Sequence, residues 1–134
     1  MPALPTGMQT SLAAWYRGTS FPAAPATLWL ALFSAVPTGD SGGTELSGGG
    51  YARKSITCST DMIADGAGRT KNATDIVFTT ATGTVGEAVG AALMSTASGG
   101  TRRAIGALDA SRIINTNDTL TIPAGALTLD FTQA

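Results

Sequence analysis

Along most of the chain polar and apolar positions alternate, and helical period shows at one place only, near the N-terminus. Met8, Leu12, Trp15 and Tyr16 make one apolar stripe, and Thr10 or Ser11 can cap its start. Arg17 suits the negative end of a helix dipole, and Gly18 is a natural residue just past a helix end. The spacing predicts a short amphipathic helix over 8–18. So short a helix is marginal alone, so its stripe must dock on something. The protein's own sheet is the expected platform, and a neighbouring subunit is the alternative. Ahead of the helix, Pro2, Pro5 and Gly7 make residues 1–7 an extended arm.

The rest of the chain predicts short strands separated by turns. Leu28 to Phe33 is apolar on both faces, the mark of a central strand covered on both sides. Pro37 to Gly43 reads as a loop and Ser47 to Gly50 as a Gly-rich turn. Tyr51 to Ser59 alternates and predicts a strand, with Tyr51 anchoring the turn before it. Asp61 to Asn72 reads as a long irregular surface loop. Ile76 to Phe78 is a short strand and Val85 to Met94 a longer one, and Arg103 to Asp109 returns as its hairpin partner across the turn Ser95 to Thr101. Asn115 to Asp118 is turn chemistry. Thr119 to Ile122 alternates, Pro123 to Gly125 turns, and Leu127, Leu129 and Phe131 face away from Thr128, Asp130 and Thr132. The expected fold is mainly β: a single antiparallel β-sandwich or jelly-roll-like domain over 8–134, with one short N-terminal helix behind the arm. No internal period argues for a β-helical spike.

Composition narrows the function. The length of 134 residues suits one domain. Charged residues make up 13%, against roughly a quarter in ordinary globular proteins. Small neutral residues fill the deficit, which suits either close packing against a partner or the Thr- and Ser-rich solvent faces of a β protein. Net charge is −1, and basic residues adjoin only at Arg53-Lys54 and Arg102-Arg103. Both pairs read as solvated strand ends, so no nucleic-acid partner is expected. The start, MPALPTGMQT, lacks a basic segment followed by an apolar core. No apolar run approaches the ~20 residues of a membrane span. Synthesis in a cytosol without membrane insertion is the expectation.

The candidate chemistry is sparse. The chain has no histidine and one cysteine, Cys58, which reads as a small buried apolar residue and not a nucleophile. The nine acids are dispersed. The 61–72 segment lacks the ligand spacing of a calcium loop, and nothing resembles a zinc cluster. The glycines from Gly42 to Gly50 lead into Tyr51-Ala52-Arg53 and not into the Lys-Ser/Thr of a phosphate loop. Neither catalysis nor a metal or cofactor is expected.

One stretch carries a family resemblance. PATLWLALFSAVPTGDSGGTELSGGGYARKSIT resembles the "ATVYLALFTSxPT … SGGGYAR" pattern of small tailed-phage virion structural proteins. The matching residues include Thr27, Leu30 to Phe33, Pro37, Thr38, Thr44, Glu45, Ser47 and Tyr51 to Arg53. Tyr16-Arg17-Gly18-Thr19 is similar to that family's opening "FRGT". NTNDTLTIPAGALTLDF is similar to its ending "AGDxxxFPAGxLTI". The stretch Thr84 to Met94 departs from it, lacking the family's Trp-Gly and "GIFDA". The resemblance implies a β-rich virion protein made in the host cytoplasm. Members are labelled tail fibre proteins, and proteins of this kind also serve as capsid decoration or cement proteins that staple major capsid subunits. Capsid decoration is the leading expectation, and a tail fibre, tail-tip or other tail component touching tail proteins or the host surface is the alternative. A homo-oligomer such as a trimer is expected, with Met1, Pro2, Leu4 and Pro5 of the arm lying across a neighbour and Trp15 and Tyr16 as contact hot spots.

Overall fold

In a computed structural model, which describes residues 4–131, the doubly apolar run falls in the first half of a long strand, β1 (Thr27–Thr38). Its side chains divide by parity. Leu30 and Leu32, with Leu28 behind them, enter a large core that holds Leu46, Ile56, Phe78, Leu93 and Ile114. Ala31 and Phe33, with Trp29 beside them, enter a smaller cluster with Ala92, Met94 and Ile105. Burying each large aliphatic side chain this fully is worth about 1.5–3 kcal/mol.

Around β1 the chain forms β2 (Gly42–Glu45), β3 (Lys54–Thr57), a one-turn helix α2 (Cys58–Asp61), β4 (Met62–Ala64), β5 (Arg69–Asn72), β6 (Ile76–Val77), β7 (Gly86–Met94), β8 (Arg102–Ile114), β9 (Thr121–Ile122) and β10 (Thr128–Asp130). All pairing is antiparallel. One sheet runs β2-β1-β7-β8, and β3 also pairs with β1. A three-stranded sheet β10-β5-β4 and a ribbon β6-β9 supply the facing layer. The large core lies between the layers, so the expected mainly β, sandwich-like architecture with one short N-terminal helix is the one observed.

Three expectations about the strands and loops are corrected. Residues 61–72 are not an irregular loop: they form the β4–β5 hairpin, with Gly66 and Gly68 at positive φ in its turn. The glycines that read as looseness are what the tight turn needs. The Tyr51–Ser59 strand is shorter, because pairing begins only at Lys54 and the chain winds into α2 at Cys58. β1 runs through Pro37 and does not stop before it. The last β1–β7 pair is Phe33 with Gly90, so the missing proline N–H costs no bond to β7. Pro37 instead packs over Gly90, where an added methyl would lie 2.6 Å from Pro37 Cδ and 3.2 Å from the Gly106 carbonyl oxygen. Only glycine lets the strands cross this closely.

The N-terminal helix α1 (Thr6–Tyr16) begins earlier than the spacing implied, so Thr6 and Gly7 are helical and not part of an arm. The cap comes from far along the chain: Asp40 Oδ1 accepts the Gly7 N–H at 2.9 Å. A carboxylate at this end also complements the helix dipole. Gly18, at φ +90°, follows the helix as expected.

The facing layer is tied by Asn72, a fully buried polar side chain. Its Nδ2 donates to the carbonyls of Thr74 (2.8 Å) and Pro123 (3.0 Å), and its Oδ1 accepts the Leu127 N–H at 2.9 Å. Replacing it strands two acceptors and a donor. Asn72→Ala and Asn72→Leu should each lower unfolding free energy by about 2–4 kcal/mol in urea titration. A loss below 0.5 kcal/mol would show that the knot is dispensable.

Candidate interaction surface

β1 is longer than either partner on one of its edges. Residues 27–30 pair with β3 and residues 33–38 with β2. Between the two, the carbonyl of Leu32 accepts the Leu46 N–H at 2.9 Å, while the Leu32 N–H has no strand opposite it. The Tyr51 hydroxyl accepts that N–H at 2.9 Å and donates to Glu45 Oε1 at 3.1 Å. Arg53 grips the same carboxylate with both arms, Nε to Oε1 at 2.8 Å and Nη2 to Oε2 at 2.7 Å. Its Nη1 donates to the carbonyls of Thr96 (2.9 Å) and Gly99 (2.8 Å) in the β7–β8 turn.

Arg53 is therefore not the solvated strand end the sequence suggested; its side chain is 7% exposed. The same correction applies to Arg102, buried with its guanidinium 5.0 Å from the Phe33 ring centroid. Its Nη1 donates to the Gly42 carbonyl at 2.7 Å and the Thr38 carbonyl at 3.1 Å, which closes the β1–β2 hairpin. Both arginines are structural, because a planar fork of donors can satisfy carbonyls that no strand reaches.

The ionisable groups of the cluster respond accordingly. Hydrogen bonding from Arg53 holds the Glu45 carboxyl below its ordinary range, against the opposing effect of burial. Burial pushes the Tyr51 phenol up, so it stays a neutral donor. Cys58, half-buried at the start of α2, has its thiol pushed up by burial, which disfavours the thiolate. Among the described residues no group of three or more Asp, Glu or Cys gathers as for a metal, the 61–72 segment included.

The predicted contact residues fall into three groups. Met1 and Pro2 lie outside the described residues. Leu4 is half-buried and its carbonyl accepts Gln9 Nε2 at 2.7 Å, while Pro5 is fully buried. Pro5 thus belongs to the protein's own interior and cannot lie across a neighbour without unpacking. Trp15 and Tyr16, by contrast, are 53% and 77% exposed, their rings edge to face at 5.0 Å. Leu12 before them and Phe21 after them are exposed as well. The expected docking of the whole stripe on the chain's own sheet therefore fails beyond Met8, which touches Arg103 Nη1 of β8 through its sulfur.

Sequence reasoning missed two surface elements. β8 pairs only with β7 among the described residues, and its ladder slips between the pairs Ala88–Arg112 and Gly90–Ala107, so that Leu108 to Ser111 bulge opposite Val89. Beside this bulge a half-open cleft of about 170 Å³ separates β8 from the segment Ala126–Leu129. The Leu108-Asp109-Ala110-Ser111 run alternates apolar and polar like the strand around it, so the sequence carries no signal of the slip.

Fold and surface together define a small antiparallel β module with an aromatic helix end and an apolar cleft at its surface. The family model of the podophage GP4 fiber I protein gp80 matches residues 5–130, and the chain belongs to that family. It is thus a phage structural protein of a family named for a fibre, and the match runs through Thr84 to Met94, where the sequence patterns departed. None of the curated proteins matches the chain. Among the described residues no helix is long and apolar enough to cross a membrane.

The Glu45 clasp makes a pH prediction. A depressed folded pKa contributes stability that is present above the unfolded value, near 4.5, and is lost as pH falls through the folded value. Glu45→Gln should cost about 2 kcal/mol at neutral pH. The gap to the wild type should stay constant above pH 5 and narrow as pH falls below the unfolded value and through the depressed folded one. A gap unchanged down to pH 2 in denaturant titrations would mean that charge on Glu45 contributes nothing.

Proposed function

We propose that the protein is a non-catalytic subunit of the phage fibre apparatus that works by adhesion to neighbouring virion proteins through the aromatic end of α1. The observation that carries this reading is the exposure of Trp15 and Tyr16, side by side at the end of α1, in a member of a family named for a fibre protein. Such side chains in water are the usual energetic anchors of interfaces. Adhesion without catalysis is further supported by the absence of histidine from the chain and by a cysteine whose thiol is held protonated.

The family name moves the reading from head to tail. A capsid decoration protein would need the same kind of contact surface, and copy number separates the two. In purified particles, mass spectrometry against the major capsid protein should find this chain far below one copy per capsid subunit, with antibody label at the tail. A ratio near one to one would return the protein to the capsid shell.

The contact itself is tested by mutation. Trp15→Ala with Tyr16→Ala should change unfolding free energy by less than about 1 kcal/mol, because both side chains are exposed. The same pair should sharply lower the amount of this protein that particles retain. Full retention by the double variant would rule out the α1 end as the contact.

A further inference from the structure

The molecule carries an unfilled apolar socket and an unpaired apolar knob on different elements. The socket is the half-open cleft of about 170 Å³ beside the β8 bulge. Leu108, Leu127 and Leu129 line it over a floor of Ala91 and Leu30, and Asp109 stands among its lining residues. The strands at its mouth, β8 and β10, each have one neighbour among the described residues, so each leaves a strand edge open beside the cleft. Asp109 is exposed and makes no ion pair among the described residues. The knob is the end of α1, where Trp15 and Tyr16 are followed at once by Arg17, an exposed residue whose guanidinium also makes no ion pair among the described residues. Trp15 does not line its own chain's cleft.

We propose that the occupant of this cleft is the α1 end of a second copy, Trp15 entering against Leu108 and Leu129 while Arg17 pairs with Asp109. The proposal rests on the reading of the α1 end as a contact surface and names its partner. The argument is complementarity in two respects. An aromatic side chain with a large area left in water meets an apolar hollow, and an unpaired cation follows the knob where an unpaired carboxylate lines the socket. Knob and socket are different patches, so the contact is heterologous and repeats into a closed ring or a filament, unlike a two-fold dimer. One helix end in one cleft falls short of the ~1,000 Å² of a stable interface. Association of the isolated protein is therefore weak and concentration-dependent, and it tightens when copies are held together in a particle.

Sedimentation of the purified full chain up to millimolar concentration tests this. The wild type should associate reversibly. Arg17→Glu and Asp109→Arg should each weaken association about tenfold or more, with circular dichroism unchanged. The chain carrying both substitutions, and an equimolar mixture of the two single variants, should recover it. Trp15→Ala should weaken it about 30-fold. A wild type that stays monomeric throughout, or a double variant no better than the singles, overturns the proposal. If Trp15→Ala also removes the protein from particles while the wild type never self-associates, the contact surface stands and the second-copy assignment falls.

Discussion

The backbone N–H of Leu32 is the point on which the five-stranded sheet depends. β1 is buried on both faces and too long for one neighbour on one edge, so two short strands share it, and the junction leaves one donor inside the protein without a ladder partner. A buried N–H left unpaired costs about as much as a lost hydrogen bond, so something must accept it. Tyr51 does, and that choice recruits the rest. The phenol then needs an acceptor, which is Glu45. The carboxylate, drawn away from water, needs a cation, which is Arg53. The guanidinium's spare donors then bind the turn at Thr96 and Gly99. One gap in a ladder thus couples β1, β2, the β2–β3 connection and the β7–β8 turn.

This chain of needs explains why the connection before Tyr51 is so rich in glycine. The backbone must leave β2, pass under the 82–85 segment and return within a few residues to point Tyr51 at the junction. Gly48, Gly49 and Gly50 all have positive φ. A methyl at Gly49 would lie 2.5 Å from the Gly83 carbonyl oxygen, so the close approach excludes any other residue there. The run that invites comparison with a phosphate-binding loop is a device for making a tight passage between backbones.

The architecture was legible where period and burial agree: the doubly apolar core of β1, the β7–β8 hairpin, the turns at Asn115 to Asp118 and Pro123 to Gly125, and the existence of the first helix. It was illegible where a polar group spends its interactions at long range. Asp40 caps a helix from 33 residues away. Asn72 and Arg102 satisfy carbonyls more than 50 residues distant, and in sequence such residues look like surface. The 61–72 hairpin was hidden because its strands are too short to display alternation. Of the candidate contacts, Trp15 and Tyr16 were readable as an aromatic pair, but their exposure was not, because an apolar stripe at helical spacing ordinarily reports burial. The cleft beside β8 depends on a ladder slip that no single-sequence pattern encodes.

The helix makes the strongest case that the exposed aromatics are a surface feature set by the fold and not a frayed end. A helix of 11 residues does not persist in water unaided. This one is secured almost entirely at its first turns, by the burial of Pro5, the Asp40 carboxylate and the Met8 contact with β8. Its far half contributes no buried residue, yet leaving Trp15 and Tyr16 in water forgoes about 3 kcal/mol that burial against the chain's own sheet would have supplied. Anchoring at one end alone fixes the direction of the helix while leaving most of its aromatic end in water. Any neighbour that covers that end recovers the forgone energy without having to order the helix first, and that saving separates a presented hot spot from an exposed hydrophobic residue.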